Sequence, residues 1–300
     1  MRFRRLFVLI LFLLLVPVAC EKVPEVTPTS LSPTQEPIEP TLTPVPTETT
    51  LPMALHVNGE GILITEFDAE LMRLQSALTE LSMEMTPEDQ KTRIIDSFID
   101  ELLLAQAAAA AGHSVSDEDV QARLDQLVID MGGMDKLLEW QSANYYTDES
   151  LRVVLKRQMY AAWQRDNIVE AVPLTAEQIH ARQLFYKNEA NAVIALKQLE
   201  DGVEFATLAD QQDPTLGGDL GWFPRGMLTQ PEVEEAVFAL QPGETTGIIA
   251  SSLGYHIVNV IEREPDHPLS TEARLMLQKA ALEEWLDAAR QNSTIELLVP

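Results

Sequence analysis

The chain has 300 residues, 46% of them hydrophobic, and its 47 acidic residues against 21 basic ones give a formal net charge of −26. This length and composition indicate about two domains with packed cores. The charge argues against electrostatic binding to nucleic acid or to an anionic membrane surface. Cys20 is the only cysteine, which excludes a disulfide within the chain.

The start of the chain has the layout of a bacterial export signal. Three arginines within the first five residues precede an apolar run over residues 6–16, which is too short for a full membrane span. Cys20 directly follows Ala19, which resembles a lipoprotein lipobox, with Pro17 as a departure from the usual leucine. We predict a signal peptide over residues 1–19, lipidation of Cys20 and an extracytoplasmic, lipid-anchored location in the cell envelope. An uncleaved anchor or a plain signal is the alternative.

Residues 20–54 are expected to form a tether. Between residues 21 and 53 the chain holds eight prolines and eight threonines but few large apolar residues. Such a segment cannot bury a core, and its prolines favour an extended, polyproline-like backbone. At roughly 3 Å per residue, the tether could hold the rest of the chain up to about 100 Å from an anchor.

Residues 55–172 are predicted to form a helical domain that opens with a β-hairpin. The hairpin signal is Asn58-Gly59 between apolar residues. A first helix follows, because four apolar residues recur at helical spacing: Phe67, Leu71, Leu74 and Leu78. N-capping residues then mark three more helices, after Thr86, after Ser116 and after Thr147. Near the end of the chain, Leu282 and Trp285 indicate an amphipathic helix, and residues 295–299 indicate a strand.

Two glycine-containing segments organise the region between these helices. Residues 217–223 read Gly-Gly-Asp-Leu-Gly-Trp-Phe, which predicts a shaped loop because glycine is kept where φ is positive or backbones approach closely. Residues 254–257 read Gly-Tyr-His-Ile and open a β-branched stretch, which predicts a strand that carries His256 into the domain. Thr175 with Gln178 suggests a short capped turn before a strand over residues 179–186.

The two segments resemble the parvulin family of peptidyl-prolyl cis/trans isomerases. Residues 202–209 and 231–244 extend the resemblance, since they look like two helices of that family in the right order. The hairpin, the capped helices and this domain together resemble the PrsA and SurA group of exported foldases. The resemblance implies an α+β fold, with a parvulin-like domain over residues 173–264. It also implies a helical chaperone domain that the helix and strand of residues 265–300 complete.

The resemblance also implies the site residues. A polar catalytic cluster would consist of Asp213, Ser251, His256 and Gln183, and a proline pocket would be lined by Met227, Leu228, Val233 and Phe238. Two residues depart from the family pattern. Gln183 stands where a histidine is usual, and Val233 stands where a phenylalanine is common. Gln183 can donate and accept hydrogen bonds but cannot titrate.

The expected reaction is rotation about an X–Pro amide, whose barrier is about 18–20 kcal/mol because the C–N bond is partly double. A dry pocket and a few polar groups suffice, so the resemblance implies neither a cofactor nor a metal. The expected partners are unfolded or newly exported proteins that contain proline. The negative charge is interpreted as favouring solubility, and the alternative is that it also favours basic unfolded clients. The alternative is a holdase chaperone whose parvulin domain is catalytically silent.

The candidate residues allow three other interpretations. Asp213, Ser251 and His256 could form a hydrolase triad, although no Gly-x-Ser-x-Gly motif accompanies Ser251. Asp213 and Asp219 faintly resemble a calcium loop but lack its alternating ligands. His256 could also be a hydrogen-bonded core histidine, and the five histidines show no metal-ligand spacing.

Overall fold

The computed structural model describes residues 51–299. The predicted signal peptide, Cys20 and the tether up to residue 50 lie outside the described residues. Within residues 51–299, every helix is too short or too polar to cross a bilayer.

The described residues form nine α-helices and seven β-strands. In chain order they are β1 (Met53–Val57), β2 (Glu60–Leu63), α1 (Ile64–Leu81), α2 (Pro87–Ala110), α3 (Asp117–Met131), α4 (Met134–Ala143), α5 (Asp148–Glu170), β3 (Thr175–Tyr186), α6 (Glu189–Glu200), α7 (Phe205–Gln212), β4 (Asp219–Pro224), α8 (Pro231–Phe238), β5 (Ile249–Ala250), β6 (Tyr255–Pro268), α9 (Thr271–Gln291) and β7 (Ile295–Leu297). We call α1 to α5, α9 and the strands β1, β2 and β7 the helical part, and the elements from β3 to β6 the sheet part.

The helical part begins as its sequence predicts, although β1 starts at Met53, two residues before the expected start of the domain. Strands β1 and β2 pair antiparallel around Asn58 and Gly59, whose φ angles of 53° and 87° suit a tight hairpin turn. The capping signals also hold, since the side chains of Ser116 and Thr147 accept hydrogen bonds from the first turns of α3 and α5.

Helix α4 was missed by the sequence analysis. It begins after Gly133, which provides no side-chain cap, so the capping signal that located α2, α3 and α5 is absent. It ends in a Schellman motif, in which the N–H of Tyr146 donates to the carbonyl of Gln141 and the N–H of Tyr145 donates to the carbonyl of Ser142. Tyr145 occupies the left-handed position, with φ at 61°, where glycine is usual.

The last helix and strand complete the helical part, as expected. Strand β7 pairs antiparallel with β1, and Trp285 of α9 packs against the core of the first helices. Arg290 of α9 forms ion pairs with Asp96 and Asp100 of α2, at 2.9 and 2.6 Å. The hairpin and the C-terminal strand therefore share one small sheet, of order β2-β1-β7.

The sheet part is an antiparallel sheet of order β4-β3-β6-β5, with helices α6, α7 and α8 packed on it. Two expectations need correction. Residues 175–178 form the start of strand β3 rather than a capped turn, and the Gln178 side chain donates to the carbonyls of His267 and Pro268 instead. Residues 219–223 belong to strand β4, so only the glycines before them form the expected loop. The fold class, α+β with a separate helical part, is as expected.

The helical part and the sheet part are connected through the start of β3 and the end of β6, which pair with each other. Thr175 of β3 faces Pro268 of β6, so β6 continues beyond residue 264, where the second domain boundary was expected. The N–H of Leu269 donates to the carbonyl of Leu174 at 2.9 Å, just where the chain leaves the sheet. The chain therefore enters and leaves the sheet part at one point, which we call the neck.

Candidate active site

Three of the four predicted catalytic residues meet at the end of the sheet where β3 and β6 pair. His256 lies near the start of β6 and is only 4% exposed. Its Nε2 lies 2.8 Å from the Ser251 hydroxyl, and its Nδ1 lies 3.2 Å from the side-chain oxygen of Gln183 on β3. The three side chains therefore form one hydrogen-bonded row with the imidazole in the middle.

The row fixes which imidazole nitrogen carries the proton. Burial lowers the pKa of His256 below its ordinary value, against an opposing effect of the Glu232 carboxylate, so the ring is neutral at physiological pH. The Gln183 oxygen can only accept, so Nδ1 holds the proton and donates to it. Nε2 then accepts from the Ser251 hydroxyl. The site presents a neutral, oriented set of dipoles.

The turn between β5 and β6 positions Ser251. The N–H of Ser251 donates to the carbonyl of Gly254 at 2.8 Å, and the Ser251 hydroxyl oxygen accepts from the N–H of Leu253 at 3.1 Å. Gly254 is required in this turn, because a Cβ there would lie 2.4 Å from the carbonyl oxygen of Tyr186 and its φ is 151°. The Gly-Tyr-His segment therefore serves to bring the turn against β3.

Asp213 stands apart from this row. Its carboxylate accepts hydrogen bonds from the N–H groups of Thr215 and Leu216, both at 3.1 Å, and so shapes the loop after α7. That loop reaches the site through its backbone, since the N–H of Gln183 donates to the carbonyl of Gly218 at 2.8 Å. A Cβ on Gly218 would lie 2.2 Å from the Gln183 carbonyl oxygen. The geometry gives Asp213 a positioning role, and with Gln183 occupying Nδ1 the hydrolase triad does not form.

The predicted pocket residues lie on one apolar cluster, at two depths. Val233 and Phe238 are buried within the core of the sheet part, whereas Met227 and Leu228 are half-buried at its surface. Ile249 links the apolar cluster to the polar row. It packs against the cluster, and on β5 it pairs with His256 of β6. A proline ring would therefore meet Met227 and Leu228 before Val233.

Glu234 of α8 holds the turn that carries these two surface residues. Its carboxylate accepts from the N–H of Gly226 at 2.9 Å and from the N–H of Leu228 at 3.1 Å. The Arg225 guanidinium lies 4.2 Å from the centre of the Phe238 ring and covers that side of the cluster. The sequence analysis assigned no role to Glu234, because its partners are backbone groups that leave no side-chain signal.

Phe185 and Gln212 were also missed. The Phe185 ring lies 5.0 Å from the His256 ring, centre to centre, and Gln212 of α7 bonds both the N–H and the carbonyl of Phe185. Phe185 is two residues after Gln183 on β3, so its position on the same face could have been found from strand alternation. Across residues 51–299, His, Cys, Asp and Glu form no group of three or more that could hold a metal ion.

Comparison with known proteins finds a match in each part of the chain. A family model described as a PPIC-type PPIase domain matches residues 174–274, and one described as a SurA-like N-terminal domain matches residues 48–140. The foldase protein PrsA of a Geobacillus species is 26% identical over 213 residues, which are 66% of this chain and 74% of that protein.

Other relatives are matched over less of their length. The chaperone SurA of Nitrosospira multiformis is 35% identical over 149 residues, or 42% of this chain, and the chain spans only 33% of that protein. The solved structure of the PrsA peptidylprolyl isomerase from Bacillus cereus is 21% identical, covering 77% of this chain and 85% of that one. Its TM-score with this chain is 0.45. The chain therefore joins a SurA-like N-terminal domain to a PPIC-type domain of the parvulin family, and it is a relative of the proteins named PrsA and SurA.

Proposed function

We propose that this chain is an exported foldase that catalyses cis/trans isomerisation of X–Pro bonds and holds unfolded client chains. The observation that carries the catalytic half is the row of Ser251, His256 and Gln183 beside an apolar surface, within a PPIC-type domain. The holding half rests on the SurA-like domain, which we assign to residues 53–172 together with 269–299.

The catalysis needs no covalent step. A proline ring bound on Met227 and Leu228 loses contact with water, and the preceding carbonyl can then rotate beside the oriented dipoles of the polar row. Polar groups that fit the twisted amide better than the planar one lower the barrier of about 18–20 kcal/mol. Neutral groups suit this task, since the twisted amide carries no net charge. Gln183 is the residue that distinguishes this row from the paired histidines of the family.

The test is a proline-isomerisation assay on tetrapeptides with the full chain. We expect wild type to show low but measurable activity, His256→Ala to abolish it and Gln183→His to raise it. Removing one preorganised donor costs about 10²–10³ in rate in acyl-transfer enzymes, and we expect a smaller effect where no oxyanion forms. The control is His180→Gln, a histidine of the same sheet that bonds Asp219 at 2.8 Å instead.

The second candidate function is holding without catalysis. It is favoured by the burial of Val233 and Phe238, each 3% exposed, which leaves only the outer residues of the pocket accessible. Absence of isomerase activity both in wild type and in Gln183→His would contradict the isomerase proposal and favour the holdase function. Val233→Phe is a poorer test, because an added ring in a packed core costs about 1–3 kcal/mol in stability.

We further propose that the chain is exported and anchored to the membrane by lipid on Cys20. The support is the signal-like start, Cys20 after Ala19, and the proline-rich segment that follows. Cys20→Ser should be exported but released from the membrane fraction, and a labelled fatty acid should mark wild type only. Equal labelling of wild type and variant would remove the lipid anchor from the proposal.

A further inference from the structure

A groove of about 410 Å³ opens in the helical part between α1 and the start of α5. Its walls combine apolar and aromatic residues with polar and charged ones, and three of the apolar or aromatic residues are strongly exposed to water: Leu51 is 60% exposed, Tyr145 50% and Val153 55%. Exposed apolar surface of this kind marks a binding site more often than a scattered single residue does.

The aromatic wall of the groove is held rigid. The Tyr146 ring stacks on Trp140, with the ring centres 5.4 Å apart, and the Arg73 guanidinium lies 4.3 Å from the centre of the same ring. Arg73 is fixed in turn by Glu70 at 2.6 Å and by the carbonyl of Asn144 at 2.7 Å. A rigid aromatic wall loses little conformational entropy when a ligand binds.

Tyr145 adds a strained residue to that wall. Its φ of 61° is unfavourable for a residue with a side chain, and glycine would remove this strain at the end of the helix. The strained backbone directs a half-exposed tyrosine to the groove. Strain of this kind concentrates at sites where it serves a function.

The floor of the groove is anionic. A smaller cavity of about 110 Å³ shares Glu66, Arg73 and Tyr146 with the groove. It adds Glu70, Glu101 and Arg157, and the groove itself adds Glu149 on its rim. The groove itself is therefore lined by two carboxylates, Glu66 and Glu149, against the guanidinium of Arg73, and the two cavities together by four carboxylates against two guanidinium groups. Burial, together with the charges of Glu70, Glu66 and Glu101, raises the pKa of Tyr146, which stays neutral.

We propose that this groove binds segments of unfolded polypeptide in which an apolar or aromatic residue is flanked by lysine or arginine. The apolar side chain would pack on Tyr145, Tyr146 and Val153, and the basic side chain would face the carboxylates. The charge of the groove selects this class over acidic segments. The inference rests on the proposed holding function and names the segments that it would hold.

The test measures the affinity of short labelled peptides by fluorescence anisotropy with the full chain. One peptide carries a phenylalanine between lysines, a second replaces the lysines by glutamates, and a third replaces the phenylalanine by serine. We expect the first to bind at least about tenfold more tightly than either of the others, with an affinity that falls as salt rises. Equal binding of the first two peptides would overturn the charge selection.

Two variants test the place of binding, each with a matched control. Tyr145→Gly removes the ring and relieves the backbone, so it should fold well yet weaken binding of the first peptide about tenfold. Ser82→Gly changes another residue with positive φ, 53°, at the end of α1, and should have no effect. Glu149→Lys should weaken binding several-fold, whereas Glu118→Lys, in the corresponding first turn of α3, should not.

Aggregation of an unfolded client, measured in parallel, separates the two proposals. If wild type suppresses aggregation but Tyr145→Gly and Glu149→Lys bind the first peptide as tightly as wild type, the groove proposal alone fails. If wild type neither binds the peptides nor suppresses aggregation, the holding function fails as well. Dissociation of a dimer by Tyr145→Gly in analytical ultracentrifugation would show a second copy in the groove, which also overturns the proposal.

Discussion

In the helical part, a cluster of charged side chains is largely withdrawn from water, in addition to the buried neutral Gln141. The Arg157 side chain is 9% exposed and pairs with Glu66 and Glu101, whose side chains are 16% and 19% exposed. In the sheet part, the withdrawn polar groups are neutral, namely Gln178, Thr246 and His256. Charges attract a charged ligand from a distance, while neutral dipoles act only at contact. The contrast fits a helical part that captures chains and a sheet part that acts on one bond.

The largest expected effect comes from separating the two parts at the neck. Replacing residues 175–268 by a short flexible linker should abolish isomerisation and keep the helical part folded, because Leu174 and Leu269 are already joined by a hydrogen bond. Helical circular dichroism and a cooperative unfolding transition would check this. A chain that loses its helical signal would contradict the independence of the two parts.

Arg157→Met should cost the helical part about 3–5 kcal/mol, because Glu66 and Glu101 would stay buried without a partner. Lys156→Met, at the neighbouring residue, breaks only a surface pair with Asp117 and should cause no measurable loss. Urea unfolding followed by helical circular dichroism measures both variants.

The loss in free energy of unfolding caused by Arg157→Met should become smaller at acidic pH. Burial already raises the pKa of Glu101 above its ordinary value of 4.5 in the wild type, despite Arg157. A carboxyl with a raised pKa in the folded state favours folding at pH values below the unfolded pKa, and this contribution is lost as pH rises through the folded pKa. A loss that is constant with pH would show that Glu101 does not carry the uncompensated charge.

Gly218→Ala should destabilise the sheet part by about 1–3 kcal/mol more than Gly226→Ala does. Both glycines have positive φ, 66° and 84°, so both variants carry the same kind of backbone cost. Only at Gly218 does the added Cβ meet a neighbour, the Gln183 carbonyl oxygen at 2.2 Å, whereas nothing lies within 4 Å at Gly226. Thermal unfolding measures the stability of both variants. Equal losses of stability would contradict the close contact between β3 and the loop after α7.

The smallest expected effect is the pH dependence due to His256. Its pKa is lowered in the folded state by burial, so its contribution to stability is full above the unfolded value of 6.5 and is lost as pH falls through 6.5 toward the folded pKa. His256→Asn should remove this dependence from the unfolding of the sheet part, whereas His180→Asn should leave it. A dependence that persists in His256→Asn must come from another group.

Local signals in the sequence located most of the fold. The capping residues Ser116 and Thr147 and the Asn58-Gly59 turn act within a few residues of themselves, so a single sequence shows them. The start of β3 was misread because Thr175 and Gln178 look like a helix cap, while Gln178 actually bonds carbonyls about ninety residues away. Partners that distant leave no local pattern.

The candidate site was found only in part for the same reason. The Gly-Tyr-His motif located His256, and family resemblance added Ser251 and Gln183, which the structure brings together. Glu234 was missed because it bonds backbone N–H groups. The groove around Tyr145 was missed because its lining residues, such as Leu63 and Val153, are ninety residues apart in sequence and come to one cavity only in the folded chain.

The pairing of β1 with β7 has a consequence for the order of folding. Residues 295–297 are synthesised after the whole of the sheet part, yet they complete the sheet that begins at Met53. Contacts of such long range form late, because the loop between them must be closed first. The sheet part has all its strands within residues 175–268 and can fold before then. The helical part would therefore be completed after the sheet part.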